Sequence, residues 1–252
     1  MIDTHAHLNF PDFNDDRGEV IGDCFGKGIE KIIIPGSDVE NSQKAVEITQ
    51  EKENIFAAVG IHPHYTDEVK GFNLLERLAQ NKKVVAIGEC GLDYFRLENN
   101  IEKAKERQGE LFLKHIELAK KEDLPLIFHN RESEEDFYKI VKDKNVRGVV
   151  HCFTSTLDFA RKVLDLGFLI SFTGIITFPK TEEILQVVKE VPLEKMMVET
   201  DSPLLAPVPY RGRRCEPWME KEVIQKIAEI KEISSKEVEE KTSANARKFF
   251  DI

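Results

Sequence analysis

The 252-residue sequence predicts an α/β fold of the TIM (β/α)8 barrel type, and three observations carry that prediction. Eight short apolar runs of β character recur along the chain, separated by polar stretches of helical period. Alternating strand and helix patterns imply parallel strands joined by helical crossovers, and eight such units in about 250 residues match the size of this barrel. Six residues with metal-ligating side chains, His5, His7, Glu89, His129, His151 and Asp201, each stand just after one of these runs. The carboxyl ends of barrel strands meet at one mouth, so ligands scattered over nearly the whole chain can converge there.

The first run, Met1 to Asp3, leads into Thr4-His5-Ala6-His7. Two imidazoles two positions apart at strand period lie on the same side of the chain and can grip one ion. The second and third runs are Lys31 to Ile34 and Ile55 to Val59, and the third is followed by Gly60-Ile61-His62-Pro63-His64. The fourth, Val84 to Ile87, delivers Gly88-Glu89, a carboxylate placed across the mouth from the first strand. A bidentate carboxylate there could bridge two cations and offset their mutual repulsion. A helix is predicted over Lys103 to Lys121, in which His115 has no partner at ligand spacing and reads as structural. The fifth run, Leu124 to Phe128, ends on His129, and the sixth, Val146 to Val150, ends on His151, so neighbouring strands offer a second imidazole pair. The seventh is Phe168 to Phe172 and the eighth Met196 to Val198, which leads to Glu199-Thr200-Asp201. Barrel closure brings the last strand beside the first, so Asp201 can complete the set begun by His5 and His7, with Glu199 deeper in the barrel behind the ligands. After it comes a proline-rich loop, Ser202 to Pro217, that overhangs the mouth and carries Arg211, Arg213 and Arg214, then a helical region from about Trp218 to Phe250.

Composition sets the remaining bounds. A chain 41% hydrophobic and 33% charged can bury a sizeable core, and one domain over 1–252 is expected. No apolar stretch approaches the roughly 18 residues of a membrane span, and the N-terminus lacks a basic segment followed by a signal core, so a cytoplasmic protein is the expectation. Cys24, Cys90, Cys152 and Cys215 are scattered without a paired spacing, which suggests neither a disulfide framework nor a thiolate zinc site. The net charge of −10 argues against a protein that coats nucleic acid with a broad basic surface. It leaves a nuclease open, because bound cations are the largest charges in such a site. Four imidazoles, one terminal carboxylate and one bridge suit Zn²⁺, Mn²⁺, Fe²⁺ or Co²⁺ better than Mg²⁺, which prefers oxygen ligands.

Several motifs together resemble the TatD family of metal-dependent deoxyribonucleases, over Ile2 to about Phe249. They are DTHAHLNF at Asp3 to Phe10, GIHPH at Gly60 to His64, GECGLDYF at Gly88 to Phe95, PLIFHNR at Pro125 to Arg131, the ETDSP beginning at Glu199, and SANAR at Ser243 to Arg247. The resemblance implies two divalent metal ions per chain, with Zn, Mn, Co or Mg as candidates. It implies that His5, His7 and Asp201 hold one ion, that His129 and His151 hold the other, and that Glu89 bridges them, in agreement with the reading from the residues. It also implies cleavage of DNA phosphodiester bonds by activated water, with single strands digested from an end as the expected mode. Family members usually read Asn-Glu-Pro where this chain has Cys215-Glu216-Pro217, and a thiol cannot replace the hydrogen bonds of an amide. Within this reading Glu89 and Asp201 are the catalytic carboxylates, and Asp201 either accepts a proton from the attacking water or serves only as a ligand.

Arg131, two residues past His129, can point into the mouth and pair with phosphate or can form a structural ion pair. His62 is a candidate contact to substrate or a support behind the ligands, and His64 reads as structural. Arg211 and Arg213, with Arg214, either follow a nucleic-acid backbone or form a solvated turn. Tyr94, Phe95, Phe153, Tyr210 and Trp218 either stack on bases or pack in the core. Two other classes stay in view, an ester or amide hydrolase such as an aminoacyl-tRNA deacylase, and a nucleic-acid-binding barrel without turnover. A monomer is the default expectation.

Overall fold

In the computed structural model, which describes residues 1–95, 97 and 100–252, all eight expected runs enter one sheet whose strands follow each other in sequence order. The strands are β1 (Ile2–Asp3), β2 (Lys31–Pro35), β3 (Ile55–Val59), β4 (Val84–Asp93), β5 (Leu126–Arg131), β6 (Gly148–Val150), β7 (Leu169–Phe172) and β8 (Met196–Val198). Every adjacent pair is parallel. The ends of the sheet meet just beyond β1 and β8, where Ala6 bridges Ser202. The Asp201 N–H donates to the His5 carbonyl at 2.8 Å and the His7 N–H to the Ser202 carbonyl at 2.7 Å. Closure thus fastens the two segments that carry His5, His7 and Asp201 directly to one another.

Helices α1 (Arg17–Gly26), α2 (Val39–Ile48), α3 (Phe72–Leu78), α4 (Ile101–Glu122), α5 (Glu134–Val141), α6 (Leu157–Asp165) and α7 (Glu182–Glu190) lie between successive strands, and α8 (Glu220–Lys231) and α9 (Ser235–Phe250) follow β8. Side chains alternate along each strand. Ile32 and Ile34 of β2 pack in the large cluster shared with the helices, while Ile33 joins Ile2, Ala58, Val85, Ile127, Val149 and Met197 in a second cluster. That second set comes from six of the other strands as well as β2 and fills the barrel interior, where Phe249 and Phe250 of α9 pack against it. Among the described residues no helix is long and apolar enough to cross a membrane.

The largest departure from expectation is β4, which runs six residues past Ile87 to Asp93. Gly88 and Gly91 allow this, with φ of +152° and +147°. A Cβ at Gly91 would stand 2.0 Å from the His129 carbonyl oxygen, and one at Gly88 would stand 2.6 Å from that of Ile127. Only glycine lets β4 lie this close to β5 while their register shifts between Ile87 and Cys90. Similarly β5 extends through His129 to Arg131, so Glu89 and His129 both project from continuous strand rather than from loops.

Candidate metal centre

Five of the six candidate ligands line a cavity of about 550 Å³ at the carboxyl ends of the strands, and the sixth, His5, is fully buried beside them. His5 and His7 bring their Nε2 atoms within 3.2 Å of each other, and both are buried. Asp201 Oδ1 lies 3.4 Å from His7 Nε2 and 3.7 Å from His5 Nε2. Glu89 then divides its carboxylate between two imidazole pairs. Its Oε2 faces His5 Nε2 at 3.4 Å and His7 Nε2 at 3.7 Å. Its Oε1 faces His129 Nδ1 at 2.7 Å and His151 Nε2 at 2.8 Å. One oxygen per pair is the arrangement a bridging carboxylate needs.

Each imidazole of the second pair has a carboxylate behind it as well as Glu89 in front. His129 Nε2 lies 2.9 Å from Asp93 Oδ2 and its Nδ1 faces Glu89, so Asp93 would keep a proton on Nε2 and turn Nδ1 toward an ion at Glu89. His151 Nδ1 lies 3.2 Å from Glu199 Oε1, so Glu199 would hold a proton there and turn Nε2 toward an ion at Glu89. Glu199 also accepts the Cys152 N–H at 2.7 Å and the Thr4 hydroxyl at 3.3 Å, so it stands behind the ligands as its depth on the strand predicts. Asp93 is held in turn by the Phe95 N–H at 3.0 Å, and its backbone exchanges two hydrogen bonds with the Gln108 side chain. The first pair has no such support: His5 Nδ1 and His7 Nδ1 are buried and have no hydrogen-bond partner among the described residues.

The donor set fits a divalent cation. Burial would raise the Glu89 carboxyl, yet His151 and His62 beside it hold it well below the usual carboxylate range. Burial likewise opposes charge on His151, but Glu89 and Glu199 lift it well above an ordinary histidine. His129 is raised against burial by Asp93 and Glu89. A proton on either imidazole takes the lone pair that a cation would take, so these nitrogens sit where positive charge is favoured. Three-residue groups of ligand atoms close enough for one ion include His5, His7 and Glu89, and also Glu89, His129 and His151.

Other expected residues are placed unequally. His62 and Arg131 line the cavity, and the Arg131 guanidinium stacks 3.6 Å from the centre of the Phe95 ring. Arg211 and Arg213 are exposed and do not line it, and Arg211 stacks on Phe178 at 3.7 Å. Arg214 is tied to Asp16 and Glu216. Tyr94 bonds Asp136, Phe153 is buried, and Tyr210 packs edge-on against Trp218. The aromatic residues that do line the cavity are Phe10, stacked on His7 at 4.3 Å, and Tyr65, neither of which the strand pattern singles out. Asp93 lies within the GECGLDYF segment but has no strand-end position in the sequence pattern to mark it. Cys215 is buried within the loop after β8, its N–H bonded to the Pro203 carbonyl at 2.9 Å. Burial pushes its thiol up to about 12, and it contacts the Ser202 side chain, one residue from Asp201.

Fold and site together define a metal-dependent hydrolase on a (β/α)8 barrel. The chain belongs to the TatD-related DNase family, whose model matches residues 2–251. It is 38% identical over 257 residues to the metal-dependent hydrolase YabD of Bacillus subtilis, covering 100% of this chain and 99% of that one. It is 33% identical to the metal-dependent hydrolase YcfH of Escherichia coli, covering 100% of this chain and 96% of the relative. The crystal structure of YjjV, a TatD homologue of Escherichia coli, superposes with a TM-score of 0.93 at 28% identity, covering 100% of this chain and 98% of that one. A TatD-family hydrolase from Entamoeba histolytica gives 0.89 at 28% identity, with 99% and 97% covered.

Proposed function

We propose that this chain hydrolyses phosphodiester bonds of DNA, taking single strands from an end, with two divalent cations held at Glu89. The observation that carries this reading is the division of the Glu89 carboxylate, one oxygen toward His5 and His7 and the other toward His129 and His151. His5, His7 and Asp201 hold one ion, His129 and His151 hold the other, and Zn, Mn, Co or Mg are the candidates. Such ions, when bound, supply a hydroxide nucleophile near neutral pH and draw charge from a phosphate oxygen.

The remaining work falls to the chain itself. Glu89 keeps the two ligand pairs at a fixed separation. Asp201, at the exit of β8 and in the cavity wall, accepts the proton of the attacking water. Arg131 presents a planar fork to a phosphate, and its stacking on Phe95 limits the side-chain freedom lost on binding. Arg211 and Arg213, outside the cavity, follow the strand beyond the reacting phosphate. Preference for a single strand is supported by depth: His5 is fully buried and Glu89 is 4% exposed, so the phosphate must descend past Leu204 and Tyr65, and a flexible chain end does this where a stiff duplex does not. Such a protein would act in the cytoplasm.

The test is cleavage of end-labelled single-stranded DNA by metal-stripped protein reloaded with Mg²⁺, Mn²⁺, Co²⁺ or Zn²⁺, with Glu89→Gln as control. Shortened products in the wild type alone are expected. No cleavage with any ion, while two ions per chain are bound, refutes the DNA reading and directs attention to carboxylic esters and amides.

A further inference from the structure

His62, Asp93 and His129 form a third group whose ligand atoms lie close enough for one ion. Their hydrogen bonds give them another role. The His64 N–H donates to His62 Nδ1 at 3.2 Å. An Nδ1 that accepts a proton bond carries no proton, so the His62 proton sits on Nε2. Protonating both nitrogens would set two N–H groups against each other, and an ion on Nε2 would move the proton to Nδ1 with the same result. His129 Nε2 is likewise committed to Asp93. The group therefore supplies no third ligand set, and His62 cannot serve as a base through Nε2.

We propose that His62 is a catalytic hydrogen-bond donor, its Nε2–H directed at a substrate oxygen bound beside Glu89. The ring lines the cavity and Nε2 ends 3.6 Å from Glu89 Oε1, too far for a hydrogen bond but beside the bridging carboxylate. The donor is held in place before substrate arrives. The His62 N–H donates to the Ser37 carbonyl at 2.8 Å and its carbonyl accepts the Tyr65 N–H at 2.9 Å. One residue earlier, the Ile61 N–H donates to the buried His115 Nε2 at 2.9 Å. Gly60 is pinned on both sides by the Ser42 hydroxyl. A fixed donor stabilises charge that develops on an oxygen of the reacting group, with little reorganisation at the moment of reaction. The assignment rests on the phosphodiesterase reading for its substrate, a phosphoryl oxygen, but its tautomer stands on the geometry alone.

The experiment compares wild type, His62→Ala and His62→Gln, each loaded with Zn²⁺. Mass spectrometry counts the ions, nitrogen NMR of the side chains reports the His62 tautomer, calorimetry measures binding of inorganic phosphate, and kcat/KM is measured on single-stranded DNA. The expected result is two ions in all three proteins, the Nε2–H tautomer in wild type, weaker phosphate binding in His62→Ala, and kcat/KM lowered about a hundredfold in His62→Ala. His62→Gln, which keeps an N–H donor, recovers part of both losses. An ion lost in His62→Ala, a proton found on Nδ1, or unchanged phosphate binding overturns the proposal. If wild type cuts no DNA but the tautomer and the phosphate result hold, the nuclease reading fails and the donor assignment survives.

Discussion

Replacing Asp93 with alanine should weaken one metal position and spare the other. Asp93 Oδ2 accepts from His129 Nε2 at 2.9 Å and faces His64 Nε2 at 3.2 Å, while Oδ1 holds the Phe95 N–H. Removing it frees the His129 ring to rotate and to exchange tautomers, which leaves Nδ1 protonated and unavailable part of the time. Carboxylates behind a ligating histidine are worth about 10- to 100-fold in metal affinity, or about 1.4 to 2.8 kcal/mol. The loss should fall on the ion proposed for His129 and His151, because the Nδ1 atoms of His5 and His7 have no hydrogen-bond partner among the described residues that could be disturbed. A chelator-competition titration with Zn²⁺ should resolve this as one weakened step beside one unchanged step. Asp93→Asn, which retains an acceptor but not the charge, should lie between. Equal weakening of both steps, or none of either, would refute the argument that Asp93 acts through His129.

Gly91→Ala should cost about 1–3 kcal/mol of stability from its backbone conformation alone. Its Cβ would also stand 2.0 Å from the His129 carbonyl oxygen, so urea unfolding should show the loss and ion content should fall at the His129 position. An alanine variant with wild-type stability and two ions would contradict the close approach of β4 to β5. His115 is fully buried, its Nδ1 bonded to the Leu111 carbonyl at 2.8 Å, and burial lowers its pKa from 6.5 to about 4. The unfolded chain therefore binds a proton that the folded chain refuses. The stability His115 contributes is full above about pH 6.5 and is lost as pH falls to about 4, by about 3 kcal/mol in total. Urea midpoints of wild type and His115→Gln should converge as the pH is lowered through that window, and parallel curves would disprove the shift. Glu89→Gln keeps the size of the bridge but removes its charge, so the paired occupancy should drop below two ions per chain in the same mass measurement, whereas retention of two would argue against bridging.

The parts of this site that are legible in the sequence share one property: their position follows from strand period. His5 and His7 lie two apart at the end of β1, and His129 and His151 mark equivalent heights on adjacent β5 and β6, so chain pattern alone brings them to one mouth. The rest depends on contacts that no local pattern encodes. The apolar run of the fourth strand stops at Ile87, yet Gly88 and Gly91 just beyond it are the residues that let β4 continue against β5. With β4 ended early, Asp93 falls into an apparent loop and its pairing with His129 is invisible. His115 shows the same limit from the other side. Nothing in helical spacing links it to Ile61, but α4 brings its ring against the loop after β3 and so fixes the backbone that carries His62. Arg211 and the aromatic pair Tyr210 and Trp218 look like mouth residues because they follow β8, while their side chains are occupied by Phe178 and by each other. Strand order therefore predicts where ligand atoms gather, but the orientation of those atoms is set by long-range partners such as Asp93 and Glu199. The functional consequence is that substitutions outside the six candidate ligands, at glycines and carboxylates one layer back, should alter metal binding almost as strongly as substitutions of the ligands themselves.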